Sequence, residues 1–324
     1  MRGLTPGARD DQGAYGVLFA ILSLVFFGMA AIALDIGNMW QNRRNLITAT
    51  DAAATAAAQE YAAGGNGCGA VDDDYLNRNF AAAVVTACTP VITGATSGYV
   101  QVDASKLVNH NFASLFGFSN STTTASTAAF WGQPNGLRGL RPFGLCAAVP
   151  GVSTWLALSN PKPAATYTIT YDKNHPDDCG GDAPGNWGMI DFNGGSNSNN
   201  ETKDWVRNGY PNLVYAPQWY EGDPGAFSNS LPTGSLLNKT FTLPIFNNYN
   251  DLPGANAEFL IVAFVRVTLI DYKANGPEAN RYLTLRFEPP GVVQGECCAS
   301  GGIDTGLRVV QLCRFESNES DCTP

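Results

Sequence analysis

The sequence predicts an α+β protein in which one long N-terminal helix precedes a β-rich body braced by disulfides. Three features lead to this prediction: an uncharged apolar run near the N-terminus, an alanine-rich stretch directly after it, and eight cysteines, all beyond the apolar run. The chain has 324 residues with 35 Gly and 19 Pro. Turn-forming residues at this density favour a loop-rich β architecture over a helical bundle.

The apolar run predicts a single membrane-spanning helix. Residues 12–34 contain no charged side chain. As a helix, residues 14–34 rise roughly 30 Å, which matches the hydrocarbon core of a bilayer. We therefore expect a cytoplasmic tail at 1–13 and a transmembrane helix at 14–34. Two arginines precede the run and two follow it, so the positive-inside rule favours neither orientation of the helix in the membrane.

A cleaved signal peptide is the alternative interpretation of the same run. Ala31 and Ala33 satisfy the small-x-small rule for cleavage. However, the run is longer than the roughly 7–15 apolar residues of a signal core, and the helical pattern continues past it without a proline. We favour a retained, single-pass anchor in the cell membrane. The cysteines then indicate that the C-terminal part lies outside the cytoplasm or on the cell surface.

The segment 35–63 is predicted to extend the helix beyond the membrane. Half of residues 46–63 are Ala, the best helix former. Side chains this small permit either a solvated stalk or a close contact with a partner helix. Gly28, Ala33 and Gly37 would carry such a contact into the membrane, where small residues let helices approach.

The cysteines indicate an oxidising compartment. None lies in a CxxC pair and the chain has only two His, so disulfides are a better explanation than a zinc site. The first pair we would join is Cys68 with Cys88, because they flank a short segment. Adjacent Cys297 and Cys298 should have different partners, since a vicinal bridge strains the backbone. The disulfide candidates are Cys68, Cys88, Cys146, Cys179, Cys297, Cys298, Cys313 and Cys322.

Two folded parts are predicted after the helix. Residues 68–140 suggest a small α+β subdomain, with a helix over 72–85, strands at 98–102 and 122–130, and an apolar turn or short helix at 112–118. Residues 144–324 suggest a β-rich domain of sandwich or open-barrel type. Its predicted strands are 167–171, 236–243, 259–272 and 282–289, and the third is apolar enough to be buried on both faces.

The tryptophan-rich turns of the second part allow two interpretations. Trp187, Trp205, Trp219 and Tyr220 lie in a turn-rich segment between the predicted strands. They could form a carbohydrate-binding or adhesive surface. Core aromatic residues of a β domain are the commoner case.

Composition and motifs argue against nucleic-acid binding and enzyme activity, and calcium is the one metal that they suggest. The net charge of −9 gives no basic stripe, so nucleic acid is not an expected partner. No GxSxG, HExxH or P-loop motif is present, and we expect no enzyme activity and no cofactor. Calcium is the one candidate ligand, because Asp177, Asp178, Asp182 and Asp191 cluster in a Gly/Asn-rich stretch. Solvated turn acids explain that cluster equally well.

The order of N-terminal features resembles a known family. A Gln-Gly start and the apolar run are followed by LDIG at 34–37, an arginine pair at 43–44 and DAAA at 51–54. This order is similar to the N-terminal segment of the TadE/TadG-like proteins of the tight-adherence (Flp) pilus system. The section 99–132 also resembles that family. Asp35, Gly37, Arg44 and Asp51 fall where the family pattern expects them, and the resemblance implies helix or interface positions without catalytic roles.

The resemblance implies a bacterial, membrane-anchored pilus-assembly component. Its partners would be pilins or other Tad-system membrane proteins, contacted through the N-terminal helix. Counting from Gly13, Leu18 stands where type IV-class prepilins carry Glu, which argues against processing there and against a major pilin. A surface adhesin that uses the helix only as a tether is the alternative function. A secreted hydrolase is a third and weaker one.

Overall fold

The structure is a computed structural model that describes most of the chain. The described residues are 12–71, 73–94, 96–170, 187–194, 199–222, 233–250, 257–274, 277, 280–297, 303–316 and 319–321. The helices are α1 (Gln12–Ala62), α2 (Gly67–Ala70), α3 (Asp73–Asn79), α4 (Val152–Leu156) and α5 (Asn199–Asn208), with 3-10 turns at Ala113–Phe116 and Thr233–Leu236.

The strands form sheets that are described below. In chain order they are β1 (Ala83–Gly94), β2 (Ser97–Asn109), β3 (Asn120–Gly132), β4 (Pro134–Leu137), β5 (Phe143–Cys146), β6 (Ala165–Thr170), β7 (Trp187–Asp191), β8 (Val214–Tyr215), β9 (Gln218–Gly222), β10 (Thr240–Tyr249), β11 (Glu258–Lys273), β12 (Tyr282–Phe287), β13 (Gly291–Val292), β14 (Gly295–Cys297), β15 (Leu307–Leu312), β16 (Arg314–Glu316) and β17 (Glu319–Asp321).

Helix α1 is a single element of 51 residues. It combines the apolar run and the alanine-rich segment because neither contains a proline or a helix-breaking cluster. It ends at Ala62, and Gly64 follows with φ of +87°, a conformation that favours glycine. The α+β prediction, with a long N-terminal helix and a β-rich body, is confirmed.

The first sheet has the strand order β1-β2-β3-β15-β13. Strands β1, β2, β3 and β15 pair antiparallel, and β13 pairs parallel with β15. Strand β15 comes from the far C-terminal part of the chain. The sheet therefore contains residues from both predicted domains, 68–140 and 144–324, and that division stays a prediction.

The prediction of a helix over 72–85 is wrong in its second half. Helix α3 ends at Asn79, and strand β1 begins at Ala83. The Asn77 side chain accepts a hydrogen bond of 2.6 Å from the backbone N–H of Ala82, whose φ is +61°. This local cap stops the helix despite the helix-favouring alanines. The β-branched residues that follow then pair with β2.

The C-terminal half of α1 packs on the first sheet. Its alanines at 49, 53, 54, 57 and 58 are fully or almost fully buried, with Val100, Val102 and Ala129 of the sheet in the same cluster. Neither interpretation offered for the alanine-rich segment is therefore correct for these residues. The chain's own sheet, with its small Ala and Thr side chains, takes the place of solvent or of a partner helix.

The second sheet forms a ring and holds the main core. Its strand order is β10-β5-β7-β9-β11-β12-β6, and β10 also pairs with β11, so the strands from β10 to β11 close on themselves. The prediction named a sandwich or an open barrel, whereas this ring is closed by the pairing of β10 with β11. Strand β11 has consecutive buried residues at Ala263, Phe264 and Val265, as a strand covered on both faces requires. The strand predicted at 236–243 instead begins at Thr240, after a 3-10 turn.

Candidate functional site

The carboxylate of Asp35 joins helix α1 to the β2–β3 hairpin. Asp35 follows the apolar run directly, yet its side chain is buried, at 5% exposure. It accepts three backbone N–H hydrogen bonds, from Asn111 at 2.8 Å, Phe112 at 3.0 Å and Ala113 at 2.7 Å. We call these three residues, 111–113, the Asp35 cradle.

The local sequence explains why the cradle can hold an anion. A 3-10 turn begins at Ala113, and the N–H groups at the start of a helical turn have no partner within the turn. They point together and bind negative charge. Burial opposes the charged carboxylate, but the three backbone hydrogen bonds outweigh it, and His110 adds a favourable charge interaction. The pKa of Asp35 is therefore lowered.

A second acidic residue of the family pattern also contacts the chain itself. The Asp51 carboxylate accepts a hydrogen bond of 2.8 Å from the Thr127 hydroxyl on β3. Ten residues further along the helix, or almost three turns, Tyr61 stacks on Trp131 with ring centroids 5.1 Å apart. Strand β3 thus follows α1 from its end at Tyr61 back towards Asp35. Asp35 and Asp51 are separated by about 24 Å along the helix.

The other residues of the predicted helix interface face outward. Neither Gly28 nor Gly37 would bring an added Cβ within 4 Å of another group of the described chain. Ala33 and Arg44 are exposed, and the Arg44 guanidinium lies 4.7 Å from the ring centre of Trp40. The structure therefore divides the predicted residues into two groups. Asp35 and Asp51 hold the chain's own hairpin, whereas Gly28, Ala33, Gly37 and Arg44 lie away from it.

The N-terminal half of α1 is an exposed apolar surface. The most apolar window of the helix has none of its residues buried, and the helix is long and apolar enough to cross a membrane. Its large exposed side chains include Phe19, Leu24, Phe27 and Trp40. A protein in water does not leave this much apolar area uncovered, so the surface requires lipid or another protein.

A second exposed apolar surface lies beside the cradle. The loop between β2 and β3 exposes Leu115, Phe116 and Phe118 by 81%, 74% and 69%. We call residues 110–119 the hairpin tip. The cradle and the tip could not be located from sequence patterns alone. Their only signals were the predicted apolar turn at 112–118 and the family resemblance of residues 99–132.

The calcium prediction gains no support from the described part of the chain. Asp191 is buried, and its carboxylate accepts backbone hydrogen bonds from Asn193 and Gly194, which makes it a turn residue. Asp177, Asp178 and Asp182 lie outside the described residues. Within the described residues, no group of three or more His, Cys, Asp or Glu is arranged to hold a metal ion.

The described cysteines are all in disulfides. Cys68 bonds to Cys88, the pair that the sequence placed first, with a Cα–Cα distance of 5.7 Å. Cys146, Cys297 and Cys313 are also disulfide-bonded. Cys179, Cys298 and Cys322 lie outside the described residues. The bond from Cys68 ties α2 to β1 near the C-terminal end of α1.

The tryptophan-rich turns contribute mainly to the core. Trp205 is buried among Phe192, Tyr210 and Tyr220 and stacks edge-on against Tyr210, with ring centroids 4.9 Å apart. Trp219 is 41% exposed. The side chain of Trp187 lies outside the described part. One exposed tryptophan does not form the extended aromatic platform of a carbohydrate surface.

Comparison with known proteins agrees with the N-terminal features. Residues 13–60 match the Tad family, described as Flp pilus-assembly TadE/G-like. The matched segment contains Asp35, Gly37, Arg44 and Asp51, and it coincides with most of α1. No curated protein and no solved structure matches the chain. The family match supports a role in pilus assembly and an association with the membrane.

Proposed function

We propose that this protein is a membrane-anchored component of Tad/Flp pilus assembly, in which the outward face of α1 packs against pilin or platform helices. The observation that carries the proposal is the division of α1 into two surfaces. One surface is occupied by the chain's own sheet and hairpin, and the other is apolar and uncovered.

The uncovered surface has the properties of a helix-packing interface. Ala33 and Gly37 are small and lie about one turn apart on one face of the helix, whereas Gly28, nine residues before Gly37, lies on the opposite face. An added Cβ at either glycine would meet nothing within 4 Å in the described chain. In a membrane, small residues let helices approach closely enough for van der Waals contact. The 14–34 segment serves as the anchor, and the disulfide-braced body lies outside the cytoplasm. The role is that of a minor, anchoring or capping subunit that performs no chemistry.

A surface adhesin is the second candidate function. Exposed Trp219 on β9 is the feature that favours it, since aromatic side chains often carry recognition. In that case α1 would be only a tether. The aromatic residues buried around Trp205 are part of the core, so they do not contribute to such a surface.

The two functions are separated by a deletion and a helix exchange. We expect deletion of the gene to abolish pili counted by electron microscopy. Re-expression of the natural chain should restore them, whereas a chain with residues 14–34 replaced by an unrelated transmembrane segment should not. Immunoblotting of membrane fractions controls for equal amounts. Full restoration by the exchanged helix would refute the packing role, and normal piliation with lost attachment would favour the adhesin.

A further inference from the structure

We propose that the hairpin tip, residues 110–119, inserts into the surface of the bilayer beside the point where α1 leaves it. The occupant of this apolar surface is thus lipid. The inference rests on the proposed membrane anchoring by residues 14–34 and does not depend on the pilus role. It gives the protein a second contact with the membrane, made by a β-hairpin.

The position of the tip is set by hydrogen bonds to the helix. The cradle N–H groups lie 2.7–3.0 Å from the Asp35 carboxylate oxygens. Asp35 is the first residue after the apolar segment, so the tip is held at the level where that segment ends. Strand β3 approaches this level from the direction of Asp51, because Thr127 contacts Asp51 about 24 Å further along the helix.

The composition of the tip suits the membrane interface. Leu115, Phe116 and Phe118 point into open space, and Leu107 on the adjoining strand is 57% exposed. Residues 107–137 contain no Asp, Glu, Lys or Arg, and their one histidine, His110, hydrogen-bonds the Ser121 hydroxyl and interacts with the opposite charge of Asp35. Leu and Phe side chains at this depth gain from removal of apolar area from water.

The proposal also accounts for the charge of Asp35. A carboxylate next to a bilayer core is costly unless it has hydrogen-bond partners. The cradle supplies three N–H donors, and it thereby also satisfies its own backbone, as an apolar environment requires. The hydrogen bonds between the cradle and Asp35 therefore stabilise the carboxylate at the membrane boundary and also position the tip. A hairpin that is surrounded only by water gains nothing from an exposed apolar tip or from a buried carboxylate.

Lipid photo-crosslinking of the full-length protein tests this proposal. The chain is reconstituted in vesicles of phosphatidylethanolamine and phosphatidylglycerol, with a diazirine amino acid placed singly at Phe116, Leu24 or Leu237. Leu24 lies in the apolar run, and Leu237 is a partly exposed leucine of the body. We expect lipid adducts at positions 24 and 116 that exceed those at 237 at least about tenfold, as judged by mass spectrometry.

The outcomes separate the tip from the anchor. Adducts at position 24 but background levels at 116 would overturn the tip proposal while leaving the anchor intact. Adducts at neither position would overturn both. Protein adducts at 116 to a second copy of the chain would show that the tip binds protein and would also overturn it. The double variant L115D/F116D, altered only at exposed positions, should retain its unfolding midpoint, but its amides at 114–119 should exchange faster in vesicles than those of the natural chain. Equal exchange rates would overturn the tip proposal.

Discussion

Replacement of Ala53 by Leu tests whether α1 packs on the first sheet. Ala53 has no exposed surface, and its neighbours in the cluster include Val100, Val102 and Ala129. Leu adds three carbon atoms where no space is available, and overpacking of this kind costs about 1–3 kcal/mol. An unfolding entropy of roughly 2.1 cal/mol/K per residue gives about 0.7 kcal/mol/K for a chain of this size, so each kcal/mol lowers the unfolding midpoint by about 1.5 °C. We therefore expect a decrease of about 1.5–5 °C.

The assay is thermal unfolding of the full-length protein in detergent, followed by tryptophan fluorescence. Trp131 stacks on Tyr61 at the helix–sheet contact and contributes to the signal together with the other five tryptophans. The matched control is Gln59→Leu, which introduces the same side chain at an exposed position of α1. Exposed substitutions usually change stability by less than about 0.5 kcal/mol. Equal midpoints for the two variants would show that the alanine face is not buried against the sheet.

Three further predictions concern the Cys68–Cys88 disulfide, which joins α2 to β1, and the hydrogen bonds of Asp35. Cys68→Ser removes the disulfide to Cys88, which spans a sequence separation of 20, and should lower the free energy of unfolding measured with denaturant by about 3 kcal/mol. Added reductant should then cause no further loss of stability through this disulfide. Asp35→Asn removes the charge and part of the acceptor capacity, so amide exchange at 111–113 should accelerate about tenfold or more, while an unchanged rate would refute the cradle. Because the pKa of Asp35 is lowered in the folded state, its contribution to stability is present above the unfolded pKa and is lost as pH falls through the folded pKa. Protection of the 111–113 amides from hydrogen exchange should therefore persist below the usual Asp pKa. Loss of this protection already at the usual pKa would contradict the lowered pKa.

Local composition was sufficient to predict α1 and the strongest strands. The apolar run, the alanines and the absence of proline specify one continuous helix, and the β-branched run of β11 specifies a buried strand. These predictions succeed because each rests on residues that are adjacent in the sequence. The helix over 72–85 failed because the Asn77 cap and the pairing of β1 with β2 override the propensity of three alanines.

The candidate site depends on contacts that the sequence does not display. Asp35 is 76–78 residues from the cradle, and nothing local to either segment indicates the other. The alanine-rich segment allowed a solvated stalk or a contact with a partner helix, and neither interpretation identified the chain's own sheet as its contact. The small residues of β3, such as Ala125 and Ala129, were the available signal, since a surface of small side chains complements a helix that must approach closely.

In-cell photo-crosslinking at Trp40 is the sharpest test of the proposal that the uncovered face of α1 packs against another membrane protein. Trp40 is 59% exposed on the outward side of α1, near Arg44, and benzoylphenylalanine can replace it with little change in size. We expect adducts with another Tad-system membrane protein at this position, and we expect them to be absent when the pilus genes are deleted. The same amino acid at Leu237 serves as the control on the body. Adducts at Leu237 with none at Trp40 would contradict the claim that the uncovered face of the helix carries the contact.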